Sequence, residues 1–279
     1  MEKWLIEEER TDIRKHCARI AMLRTFLQLF PYFSLSAFLI GNPNQPGLLT
    51  AGLISTSSWC SLRIGYIDDY VYQQRFKDEY RIEGLIRTKT FLKLSTHAAI
   101  ATLNLKNWID LYGIVGNSRM QLDREVFTKN EVSWGIGMKL AFFQSGPFAI
   151  GTDLKYFETD QKPLYFVSDG LAYNILSSYR LKYYEVQGAL GMCYRHKVIA
   201  PYIHATYLFS KMAPHPMVVL VRLPDTGEMA DIISKSILGQ RTWGMAVGAT
   251  LIGNDKIALS AESRFFNQNA VDVNCEIRF

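Results

Sequence analysis

The chain has 279 residues, with 31 Lys and Arg against 26 Asp and Glu, and its formal charge of +5 is spread without a dense basic run. That spread excludes a nucleic-acid binder, whose footprint is a clustered basic face. Aromatic residues make up 13% of the sequence and mean hydropathy lies near zero, which fits a large soluble core or a barrel whose wall alternates lipid-facing and lumen-facing residues. Beyond residue 40 no apolar run reaches the roughly 20 residues of a spanning helix. A membrane location would therefore require a closed barrel, because lipid offers no partner to an open sheet edge.

Residues 1–24 are highly charged, with Glu7, Glu8, Glu9 and Asp12 where a secretory leader should be basic. From Met22 the pattern is orthodox: Arg24, the apolar stretch Phe26 to Leu35, then Ser36-Ala37. This reads as a leader over 1–37, with Met22 as the true start and cleavage after Ala37. A retained amphipathic helix is the competing reading. The domain expected to follow spans 38–279.

Strict alternation dominates from residue 61. Trp134, Ile136, Met138, Leu140 and Phe142 interleave with Ser133, Gly135, Gly137, Lys139 and Ala141, and Trp243 to Leu251 and Ile257 to Phe265 behave alike. Period two over such lengths means strands with one apolar face. Ten are expected, over 61–74, 90–105, 108–122, 131–144, 147–158, 179–195, 198–210, 241–252, 256–266 and 269–279, and a count of twelve or more stays open. A sandwich would share the alternation, but several of these strands reach the roughly 9–11 residues that cross a bilayer.

Tight turns at Lys106-Asn107, Ser145-Gly146, His196-Lys197 and Gly253-Asn254-Asp255 alternate with connections near 75–89, 123–130, 159–178 and 211–240. Short turns on one side and long loops on the other are the outer-membrane arrangement. The last ten residues alternate into Phe279, the form of an assembly signal read by the barrel-assembly machinery, and the last strand must pair with the first to remove the edge. The fold class is thus all-β, an antiparallel transmembrane β-barrel in the bacterial outer membrane, surrounded by its lipid.

No nucleophile elbow, phosphate loop or metal-ligand spacing is present, so neither catalysis nor a cofactor nor a metal is expected. By alternation the candidate pore-lining residues are Arg63, Asp69, Lys93, Asp110, Lys139, Asp153, Lys155, Lys182, Glu185, Arg195, His204, Glu262, Arg264, Asp272, Glu276 and Arg278. Without the neutral His204 they carry one positive charge in excess, which predicts a weak anion preference if the lumen is open. In a narrow barrel the same charges would pair and fill the interior. Cleavage would leave Cys60, Cys193 and Cys275, an odd number that predicts an intermolecular disulfide, with Cys60 beside the first strand as the candidate.

Several stretches resemble the chlamydial major outer membrane porin family. Gly41-Asn42-Pro43 and Pro46 sit where its mature chain begins, and Trp59-Cys60, Arg63, Gly65-Tyr66 and Asp69-Tyr70-Val71 are similar to its first strand. Ser133 to Gly146, Tyr184 to Arg195 and Pro201-Tyr202-Ile203 resemble its middle strands. Gly244 to Gly248, Ala261 to Arg264 and Arg278-Phe279 resemble its closing ones. The resemblance implies a homotrimeric general porin for small hydrophilic solutes, with disulfide-linked partners in the envelope. Family members are longer, with more strands, larger loops and more cysteines. Two rivals remain: a structural or adhesive barrel acting through loops 159–178 and 211–240, and a rim enzyme.

Overall fold

A computed structural model describes residues 42, 45–49, 52–53, 59–82, 85–123, 126–168, 171–174, 179–215, 218–222, 229–233 and 236–279. The expected leader over 1–37 lies outside them. The strands are β1 (Cys60–Ile82), β2 (Leu85–Leu105), β3 (Ile109–Leu122), β4 (Val126–Thr128), β5 (Glu131–Ser145), β6 (Phe148–Gln161), β7 (Pro163–Ser168), β8 (Leu171–Asn174), β9 (Arg180–Tyr194), β10 (Ile199–His215), β11 (Val218–Arg222), β12 (Met229–Ile233), β13 (Ile237–Gly239), β14 (Trp243–Gly253), β15 (Ile257–Phe265) and β16 (Gln268–Arg278).

Ten of them close a barrel in the order β1-β2-β3-β5-β6-β9-β10-β14-β15-β16 and back to β1, with every pairing antiparallel. Each corresponds to one of the ten expected strands. Local chemistry explains why the short turns form. Lys106-Asn107 and Asn254-Asp255 take positive φ at both residues, the twist that matches a two-residue hairpin to its strands.

The long connections are less loop-like than expected. Residues 75–89 continue the β1–β2 ladder as far as Ile82 and Leu85. The 123–130 and 159–178 connections contribute β4, β7 and β8, which pair with one another and with β3. From the 211–240 connection, β11 pairs with β12, and β13 pairs with both β1 and β10. The wall strands β14 to β16 are only 9 to 11 residues long, whereas β1 has 23 and β10 has 17. β13 therefore continues the wall above the short hairpins.

The registers fix the tilt. From Tyr66, partners run through Ala99, Val115, Trp134, Glu158 and Tyr184 to Lys211. In the other direction they run through Cys275, Leu259 and Leu251 to Ile199. Both paths end on β10, offset by 211 − 199 = 12 residues. A stagger of this size around ten strands gives a tilt of about 40°.

The outer surface divides into zones. Trp59, Trp108, Phe142, Phe143 and Tyr194 are exposed near the short turns, and Tyr72, Trp134, Tyr207, Phe209, Trp243 and Phe265 form a second ring towards the long loops. Exposed Leu62, Ile64, Leu111, Ile136, Met138, Leu154, Leu190, Met192, Ile203 and Val247 lie between. On β9, Tyr194 to Tyr184 spans ten residues, about 33 Å along the strand and about 25 Å along the axis at this tilt, the height of an outer-membrane apolar band. Above that band the outward residues are charged and paired: Lys182 Nζ lies 2.8 Å from Glu158, and Arg180 lies 3.2 Å from Asp160.

Candidate functional site: the barrel lumen

Pleating sends alternate residues of each wall strand inward, and burial marks the phase. On β16, Asp272, Asn274, Glu276 and Arg278 are buried and Val271, Val273, Cys275 and Ile277 are less so. On β2 the buried set is even-numbered from Thr90 to Asn104. This places Arg63, Asp69, Asp110, Lys139, Asp153, Lys155, Glu185, His204, Glu262, Arg264, Asp272, Glu276 and Arg278 in the interior, each 2% exposed or less.

Three expected lining residues are not there. Lys93 is partly exposed between buried Leu92 and Leu94, so it points outward. Lys182, between buried Leu181 and Tyr183, is half exposed and pairs with Glu158 on the outside. Arg195 follows the end of β9 at a short turn and pairs with Asp255 at 2.5 Å. For the two lysines the cause is the same. Towards the long loops the interior itself is apolar, so a polar side chain between two apolar ones belongs outside.

The loop-side interior is a cluster that includes Phe76, Leu92, Leu94, Met120, Phe157, Leu181, Tyr183 and Met212. Below it lies a layer of charges. Arg264 meets Asp69 at 2.5 Å and Glu262 at 3.9 Å, with His204 Nε2 3.6 Å from Glu262. Lys155 Nζ lies 3.1 Å from Glu185, which also accepts a 2.6 Å hydrogen bond from the Tyr183 hydroxyl. Tyr112 donates to Asp153 at 2.8 Å, and its ring lies against Gly137, where a Cβ would come within 2.3 Å of it. Large beside small is how a narrow barrel fits its contents.

This layer is not fully satisfied by protein. Neither oxygen of Asp272, and neither polar atom of the Gln187 or Gln268 side chains, has a hydrogen-bond partner among the described residues, yet all three residues are 2% exposed or less. Buried polar groups are almost always paired with protein or ordered water. The middle of the lumen is therefore strongly polar, with donors and acceptors that the described residues leave open.

At the turn side, Arg63 is held between Asp110 and Glu276, the latter at 3.0 Å. Here the interior also receives chain that precedes the first strand. Gln45 Nε2 donates to Glu276 at 2.7 Å, and Lys139 Nζ donates to Gln45 Oε1 at 2.7 Å. Asn104 Nδ2 donates to the Pro46 carbonyl at 3.3 Å, Arg278 donates to the Leu49 carbonyl, and Leu53 N–H donates to the Arg278 carbonyl at 2.9 Å. Asn42 Nδ2 reaches Cys193 Sγ at 3.3 Å and Thr250 Oγ1 at 3.4 Å. Leu48 and Leu49 complete a second cluster with Cys193, Ala200, Tyr202, Ile252 and Ala258. Burying each leucine contributes about 1.5–3 kcal/mol.

Sequence reasoning missed this strap. Gly41-Asn42-Pro43 and Pro46 served only as the start of a mature chain. The available signal was Leu48-Leu49, an apolar pair in a segment too short and too rich in Pro and Gly to form a wall strand. Of the cysteines, Cys60 is exposed, Cys193 points into the lumen and Cys275 is partly exposed on the outside, all three as free thiols. Among the described residues, no group of three or more His, Cys, Asp and Glu is placed to hold a metal ion.

No family model matches the sequence. Comparison with individual proteins does find relatives. The chain is 21% identical to the major outer membrane porin, serovar E, of Chlamydia trachomatis, over 91% of this chain and 98% of that protein. It is 22% identical to the major outer membrane porin of Chlamydia abortus (88% and 95%) and 23% identical to that of Chlamydia psittaci (88% and 96%). It is a divergent relative of the chlamydial major outer membrane porins. The first alignment runs over 383 positions against 279 residues here, so 383 − 279 leaves more than a hundred positions of gap in this chain. Similar solved structures include the β domain of the Bordetella autotransporter BrkA (11% identical, TM-score 0.43, 79% of this chain and 98% of that one). The translocator domain of NalP from Neisseria meningitidis is another (6% identical, TM-score 0.42, 80% and 88%). With its two aromatic rings and apolar band, the protein is a β-barrel of the bacterial outer membrane.

Proposed function

We propose that the protein is a porin of low conductance for small hydrophilic solutes and ions, with its lumen filled at rest. The observation that carries this reading is the under-satisfied charged layer across the middle of the lumen, which a barrel built only as a dry structural post would not retain. The porin names of its relatives support it.

The expected anion preference rested on Lys93, Lys182 and Arg195. Without them the buried lumen charges among the described residues are Arg63, Lys139, Lys155, Arg264 and Arg278 against Asp69, Asp110, Asp153, Glu185, Glu262, Asp272 and Glu276. Two carboxylates are in excess. The proposed preference is therefore weakly cationic, and screening over about 8 Å at physiological salt keeps it weak. Reversal potentials across a planar bilayer in a salt gradient test this. A modest cation-side potential that falls on Asp272→Asn is expected, and an anion-side potential would overturn it.

A second reading has its own support: among the described residues every inward charge is shut off from solvent in this conformation, as a structural or adhesive barrel would have it. Absence of current from folded, heat-modifiable protein under all voltages would favour that reading. Exposed Cys60 is the thiol we propose for linkage to another chain.

A further inference from the structure

We infer that the strap carrying Asn42, Gln45 to Leu49, Gly52 and Leu53 is a displaceable gate for the turn-side mouth, and that the charged seat beneath it is the entrance the pore uses when it opens. This rests on the porin reading and adds where and how the lumen is shut.

Three features separate the strap from the wall. First, the wall is complete without it: β16 pairs with β1 from Gln268 to Arg278, so the strap can leave while every ladder stays closed. Second, its grip is largely exchangeable. Gln45 bridges Glu276 and Lys139, and the Pro46 and Leu49 carbonyls accept from Asn104 and Arg278. Every one of these wall groups is charged or an amide that water satisfies equally well. Third, the strap lies close against the wall: Gly47 packs beside the exposed side chain of Gln144. Leu48 and Leu49 are the apolar latch, set against small or slender wall groups such as Cys193, Ala200 and Ala258. The loop-side cluster offers no comparable exit, because its large apolar residues belong to the wall strands themselves.

Released, the strap would uncover Asp110, Glu276, Arg63, Lys139 and Arg278 around the mouth. This puts two carboxylates and three cations at the entrance, a mixed ring that passes small ions of either sign and leaves the cation bias to the carboxylate-rich middle layer.

The native thiol Cys193 lies 3.3 Å from Asn42 Nδ2, so Asn42→Cys creates a lock. Cys17, Cys60 and Cys275 are changed to Ser, and Cys193→Ser serves as the control. In the folded, heat-modifiable protein, oxidation should join positions 42 and 193 and reduce conductance at least tenfold, and dithiothreitol should restore it. The Cys193→Ser control should not respond. Leu48→Asn with Leu49→Asn should raise open probability and speed alkylation of Cys193 by a small maleimide. A disulfide that forms without changing the current overturns the gate, as does failure of the disulfide to form in folded protein. If the reduced protein and the double-Asn variant both carry no current, the porin reading falls. The maleimide rate then still decides whether the strap moves: acceleration in the double-Asn variant keeps it as a displaceable segment, and an unchanged rate ends the inference.

Discussion

The two halves of the lumen are built on opposite rules. On the turn side, where lipid surrounds the wall, inward residues are Arg63, Asp110, Lys139, Glu276 and Arg278 while outward ones are Leu62, Ile64, Leu111 and Met138. On the loop side, above the lipid, inward residues are Phe76, Leu92, Leu94, Leu181 and Tyr183, while outward ones include Lys93, Arg180 and Lys182. Alternation is the same in both halves, and only the medium outside changes. Surrounded by lipid, the wall turns apolar groups outward. Surrounded by water, it folds like a soluble barrel with an apolar core.

That contrast is open to attack by mutation. The largest effect is expected from Arg264→Ala, which strands Asp69 without its 2.5 Å partner in the charged layer. Removing one member of a buried pair typically costs 3–5 kcal/mol, read as a lower urea midpoint for loss of the heat-modifiable band. Phe76→Ala, in the loop-side core, should cost about 3–5 kcal/mol by the same measure if that half packs like a soluble interior. A loss below about 1 kcal/mol would mean that the apolar cluster is loosely filled and the two halves differ less than described. The smallest effect is expected at Lys182→Gln. Its pair with Glu158 is half exposed, so the stability change should stay within about 0.5 kcal/mol and the reversal potential should not move. A shift in selectivity at Lys182 would return that side chain to the lumen.

The same contrast explains what the sequence made legible. Ten wall strands were readable because period-two patterning and turn residues such as Asn254-Asp255 agree with each other at the short turns. Thirteen of the sixteen lining candidates have the inward phase, because within the lipid band polarity alone reports facing. Lys93 and Lys182 were misplaced because that rule was carried past the top of the band, where Leu92 and Leu181 turn inward. The β1–β2 tip and β13 were taken for loop because their segments lack a long alternating run. The strap was hidden for another reason. Gln45 and Leu49 are placed by Glu276, Lys139 and Arg278, groups from distant parts of the chain, and no local pattern records such contacts.

The seam between β1 and β16 joins Tyr66 to Cys275, near opposite ends of the domain, whereas the neighbouring strand pairs are mostly simple hairpins. Local hairpins assemble early and the pairing of greatest sequence separation late. Arg63 on the first strand donates to the Gln45 carbonyl at 3.4 Å, and Glu276 and Arg278 on the last also hold the strap, so its seat comes into existence only when that seam zips shut. The strap can seat only on a barrel whose seam has closed. A barrel caught before that step is an unstoppered ring.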